Sequence, residues 1–137
     1  MAPNTPQEWL AVANERAADA EAMLPSRTNS VGPVYMIGYA IECTLKAYLR
    51  SQNKPFPAHG TAGHNLKGLW QACGFRLYEL RDRTGHKTFF IQSWGTHLRY
   101  EQVLSGSFSS ESLVNEGKKL AGWIEKQIRQ QKGRRRR

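Results

Sequence analysis

Apolar positions from residue 6 to residue 24 recur at helical spacing. Leu10, Ala13, Ala17, Ala20 and Leu24 share one face, and Glu15, Arg16, Asp19 and Glu21 lie largely off it. Thr5-Pro6-Gln7-Glu8 reads as a capping box with proline at the first helical position, so the helix is expected from Pro6 to Leu24, where Pro25 stops it. The residues from Val31 to Ser51 behave differently. Val34, Ile37, Ile41, Leu45 and Leu49 are joined by Tyr35, Met36, Tyr39, Ala40, Cys43, Ala47 and Tyr48, so the segment is apolar or amphipathic nearly all round. A helix of that kind belongs in the middle of a bundle. Pro33 falls in its first turn, where a missing N–H is harmless. Glu42 and Lys46 stand four apart within it, in the favourable order.

Residues 52–63 hold two prolines and two glycines and read as a loop. His64-Asn65 then precedes a short helix from Leu66 to Ala72, ended by Gly74, with Leu66, Leu69, Trp70 and Cys73 on its buried side. From Phe75 to Ile91 two readings stay open. Leu77, Tyr78 and Leu80 suggest helix, Thr84-Gly85 breaks it, and residues 87–91 suit an extended segment. An aromatic and basic stretch follows from Trp94 to Leu104, and a Gly/Ser loop leads to a last helix starting at Ser109 or Ser110. Leu113, Leu120, Trp123, Ile124 and Ile128 form most of its apolar stripe. This helix is expected to end at Gln131, with residues 132–137 as a disordered basic tail. The fold class that fits is all-α, an up-and-down bundle of four to five helices in one domain over residues 1–131.

The chain's 137 residues are enough for one domain, and its 39% hydrophobic content is enough for a core. Net charge is +9, of which the four arginines at the end supply four; the body is mildly basic and suits RNA, a nucleotide or another acidic partner. Cys43 and Cys73 form neither a disulfide framework nor a metal ligand set, and His59, His64 and Cys73 match no usual zinc spacing. No cofactor or metal is expected. The start of the chain lacks a basic segment followed by an apolar run, and the longest nearly apolar stretch, 31–41, is far below the ~20 residues that span a bilayer. A cytoplasmic protein without a membrane span is the expectation.

Three segments in order resemble HEPN domains, small helical bundles of prokaryotic toxin–antitoxin and defence systems. They are Tyr39-Ala40-Ile41-Glu42-Cys43-Thr44-Leu45-Lys46-Ala47-Tyr48-Leu49, Gly63-His64-Asn65-Leu66-Lys67-Gly68-Leu69, and Trp94 with Leu98-Arg99-Tyr100. The resemblance implies a homodimer that acts on RNA or binds a nucleotide, with a nucleotidyltransferase antitoxin as a partner. Many members are metal-independent RNases with an Arg–x(4–6)–His motif. There the Arg stabilises phosphate charge in the transition state and the His moves protons at the ribose 2′-hydroxyl or the leaving oxygen. Others lack the motif and serve as binding or dimerisation modules.

Arg81-Asp82-Arg83-Thr84-Gly85-His86 has that spacing, so Arg81 and His86 are the catalytic candidates. The competing reading is a solvated basic loop. The family's motif usually opens the final long helix, which here contains no His, and residues five apart on a regular helix point ~140° away from each other. His97, Arg99, Tyr100 and Arg83 are the nucleic-acid-binding candidates, since aromatic rings beside basic groups stack bases and hold phosphates. The structural alternative has Trp94 and Tyr100 capping the bundle, with Arg99 paired to an acid such as Glu42 or Glu101. Glu42 and Lys46 are read as a structural or site-orienting pair, and His64 as a helix cap or loop anchor.

Overall fold

The computed structural model describes residues 3–27, 29–56, 64–102, 104 and 108–135, with side chains described as far as residue 131. Residues 57–63 of the predicted loop with His59, residues 105–107 of the Gly/Ser loop, and Arg136 and Arg137 lie outside them. Among the described residues the chain is entirely helical. It comprises α1 (Pro6–Met23), α2 (Val31–Ser51), α3 (Leu66–Ala72), a 3-10 segment (Leu77–Leu80), α4 (His86–Gln92), a second 3-10 segment (Thr96–Tyr100) and α5 (Ser110–Arg135). None of these helices is long and apolar enough to cross a membrane.

The helix starts follow the local chemistry. The Thr5 hydroxyl accepts from Glu8 N and the Glu8 carboxylate accepts from Thr5 N, closing the capping box ahead of Pro6. Ser30 caps α2 through Gly32 N, and Asn65 caps α3 through Gly68 N. Residues 87–91, which suit an extended strand by composition, are instead helical within α4. Phe90 and Ile91 are neighbours and both buried, which one helical face satisfies and a strand with alternating faces does not; Phe90 lies beside Gly117 of α5. At the other end, α5 continues through Arg135, beyond the expected stop at Gln131; Arg, Lys and Gln are good helix formers and only Gly133 interrupts them.

α2 is the axis of the molecule. Fifteen of its residues are buried, including Val34, Ile37, Ile41, Leu45 and Leu49. α1 packs along it in the opposite direction, with Trp9 near Lys46 and Met23 near Gly32. α5 packs along it in the same direction. The Ser110 hydroxyl donates to the Ser30 carbonyl at 2.7 Å, and one helical stretch further on Gly117 lies against Ile37. Two long helices that run the same way need a return path, and residues 52–109, carrying α3 and α4, supply it. The anchor of α1 is Trp9, buried where the sequence favours Leu10; Leu10 is only partly covered.

Candidate functional site

The turn between the first 3-10 segment and α4 carries Arg81, Asp82, Arg83 and His86. Leu80 is buried and holds the turn at one end. At the other, the Asp82 carboxylate accepts from Thr88 N at 2.7 Å and so caps α4, whose own N-cap position is Gly85 at φ 85°. Burial raises the Asp82 carboxyl, but the hydrogen bonds from Thr88 and the nearby Lys87 outweigh it and hold the group below its ordinary range. Between these anchors Arg81 adopts a left-handed conformation, φ 49° and ψ 50°, uncommon for a side chain of its size.

His86 is half-buried, and both of its ring nitrogens are engaged. Nδ1 lies 2.6 Å from the Thr84 hydroxyl and Nε2 lies 3.1 Å from the Ser112 hydroxyl. Ser112 already donates its proton to the Ser109 carbonyl and accepts from the Ser109 hydroxyl. With the Ser112 proton already used, the Nε2 contact is one in which His86 donates to the Ser112 hydroxyl. The ring also packs on Phe108, centroid to centroid 4.2 Å. Arg81, by contrast, is exposed and lines an open cleft of about 430 Å³ together with Tyr78, Glu79, Leu80 and Trp123. His86 is not among the residues lining that cleft.

The second set is on the surface. Arg83, His97, Arg99 and Tyr100 are all exposed, Tyr100 at 81%. Arg99 pairs with neither Glu42 nor Glu101 among the described residues; its Nε donates to the Thr96 carbonyl, and its guanidinium lies over the Tyr100 ring at 5.5 Å. Trp94 is buried and packs on Tyr35 and Tyr39, whose hydroxyls are hydrogen-bonded at 3.0 Å. It belongs to the core, whereas Tyr100 caps nothing.

Glu42, Lys46 and His64 come together inside the fold. Lys46 Nζ donates to Glu42 Oε2 at 2.9 Å, and His64 Nδ1 meets Glu42 Oε1 at 2.8 Å. The Lys46 ammonium also lies 5.1 Å from the Trp9 ring and 5.9 Å from that of Phe56. Helical spacing makes the Glu42–Lys46 pair visible in the sequence. The contact with His64, 22 residues away, is made by the fold. His64 acts as an anchor that ties the end of the 52–65 connection to α2, while Asn65 does the capping.

Sequence reasoning did not single out Trp123 and Tyr78 as site residues. Trp123 sits on the apolar stripe of α5 yet is only partly covered, and Tyr78 is 75% exposed. No family model, curated protein or solved structure matches this chain.

Proposed function

We propose that this is a HEPN-like helical protein that binds RNA or a nucleotide through its basic surface turns, as a module of a toxin–antitoxin or phage-defence system. The observation that carries this reading is the contrast between Arg81 and His86. Arg81 is presented at an open cleft, whereas both nitrogens of His86 are occupied by hydroxyls of its own chain. A general acid or base needs a ring nitrogen free for the ribose hydroxyl or the leaving oxygen. Exposed Arg83, His97 and Arg99, with the net charge of +9, support attraction to phosphates. A homodimer, a cytoplasmic setting and a nucleotidyltransferase antitoxin belong to the same proposal through the HEPN resemblance.

The RNase reading has one observation in its favour. Arg81 and His86 stand at the two ends of one surface turn, and Asp82 between them is tied to α4. A second copy of the chain would then have to bring the opposite pair into register.

The deciding experiment pairs binding with cleavage. Fluorescence anisotropy of a labelled single-stranded RNA 12-mer is measured at 50 and 200 mM salt, and cleavage of a longer RNA is followed in EDTA. Wild type is compared with Arg81→Ala and His86→Ala. Salt-sensitive binding without cleavage is the expected result. Metal-independent cleavage that leaves 2′,3′-cyclic phosphate ends and is lost in both variants would replace the module by the RNase. A folded protein that neither binds nor cuts RNA would sink both.

A further inference from the structure

We propose that the cleft between Tyr78, Arg81 and Trp123 is a nucleotide-binding subsite, which takes one unstacked base between the two aromatic side chains and its phosphate on Arg81. This inference rests on the RNA- or nucleotide-binding reading and names the place where the contact is made.

Four features of the cleft converge. Its volume, about 430 Å³, suits a small organic ligand the size of one nucleotide. Its walls combine two aromatic side chains with a guanidinium, and base stacking beside a phosphate-binding cation is how single-stranded nucleic acid is held. Trp123 is braced from behind, 5.0 Å from the Phe75 ring and 5.7 Å from Trp70, so it can serve as a fixed platform. Tyr78 is 75% exposed on the 3-10 segment, so its ring is open to a ligand.

The backbone gives the fourth feature. Arg81 holds its left-handed conformation between buried Leu80 and the anchored Asp82. A non-glycine residue kept in that region is strained, and such strain persists where its surroundings over-determine it, most often at ligand sites. Among the described residues that line the cleft, Arg81 is the one cation. Glu79 completes the lining, and its Oε1 accepts from Arg76 N at 2.9 Å, which fixes the carboxylate at the rim. A fixed carboxylate beside a base platform accepts from amino and imino N–H groups, and it repels a phosphate. The base therefore belongs on the Glu79 side and the phosphate on the Arg81 side. A ring–phosphate unit satisfies both; free phosphate satisfies only one.

The test uses tryptophan fluorescence of the whole protein. Of the four tryptophans, Trp9, Trp70 and Trp94 are buried, so quenching by an added base reports on Trp123. GMP and CMP are titrated beside ribose 5-phosphate and inorganic phosphate, and the RNA 12-mer is titrated by anisotropy. Saturable quenching by the nucleotides and none by the two base-free phosphates is expected. Arg81→Gly accepts the same backbone and removes the side chain with its guanidinium; it should weaken nucleotide binding at least tenfold without lowering the Tm. Tyr78→Ala, at an exposed position, should weaken it about tenfold.

RNA binding that survives unchanged in both variants would overturn the subsite and leave the RNA-binding reading in place. Absence of both nucleotide and RNA binding in folded protein would remove the two together. Quenching that follows protein concentration, with a dimer in light scattering, would also overturn it and reassign Leu77 and Tyr78 to contact between two copies of the chain.

Discussion

Gly38 of α2 lies directly beneath the indole of Trp94. A Cβ atom at Gly38 would stand 2.0 Å from both Cε2 and Nε1 of that ring. The ring cannot retreat easily, because Tyr35 stacks on it at 5.7 Å and Tyr39 meets it edge-on at the same distance. The absent side chain of Gly38 is thus what lets the segment after α4 close over the central helix. Gly38→Ala should cost about 3 kcal/mol, a Tm loss on the order of 10 °C. Gly122→Ala on α5 is the control: beyond its own helix turn, no atom of the described residues would lie within 4 Å of a Cβ there, and the helix should gain up to ~1 kcal/mol. Thermal unfolding of the two variants checks both signs.

Glu42 is shared between Lys46 and His64, and its side chain is almost wholly buried, as is that of Lys46. Removing one partner takes from the other buried charge its 2.9 Å ion pair, so Glu42→Gln and Lys46→Met should each destabilise by about 3 kcal/mol. The double variant Glu42→Gln/Lys46→Met removes both charges together. Urea unfolding should show it losing clearly less than the sum of the single variants; additive losses would mean that the pair does not act as a unit.

Asp82 makes acid stability depend on the turn that carries Arg81. Its carboxyl titrates below the ordinary range in the folded chain, so its contribution is complete above that range and is lost as pH falls through the folded value. Glu116 behaves in the same direction: burial raises it, but Lys119 and Lys87 outweigh that effect. Asp82→Ala should cost about 1 kcal/mol at pH 7, the value of a helix cap. The gap from wild type should shrink as pH falls below the ordinary carboxylate range and through the depressed folded value, as denaturant titrations at pH 7 and in acid would show.

Cys43 and Cys73 are buried, and burial pushes both thiols up to about 12, with the Glu42 carboxylate adding to the effect at Cys43. Folded protein at pH 8 should therefore react with a thiol reagent at neither position on a scale of minutes, and two thiols should appear on unfolding. Rapid modification of either one in the native state would show that the core around α2 opens locally.

Much of the helical framework is legible in the sequence because its signals are local. The Thr5–Glu8 capping box, Asn65, Pro25 and Gly74 act within a few residues of where they stand, and helices begin or end beside them. The all-round apolarity of α2 announces a central position, and buried Leu113, Leu120, Ile124 and Ile128 show that the stripe on α5 faces inward. The stretch 75–91 resisted reading because it is built from short pieces. Four- and seven-residue helices carry too few residues to display a period, and tertiary burial of Leu80, Phe90 and Ile91 decides their form.

The candidate site divides along the same line. The basic excess, the Arg81–His86 spacing and the Glu42–Lys46 pair are properties of the chain as written, since composition and helical spacing need no fold to be seen. Tertiary structure alone decided that His86 meets Ser112, that His64 reaches Glu42, and that Arg81 opens onto Trp123, 42 residues further along. Contacts of that range depend on how α2 and α5 lie side by side, and no local pattern of residues encodes that arrangement.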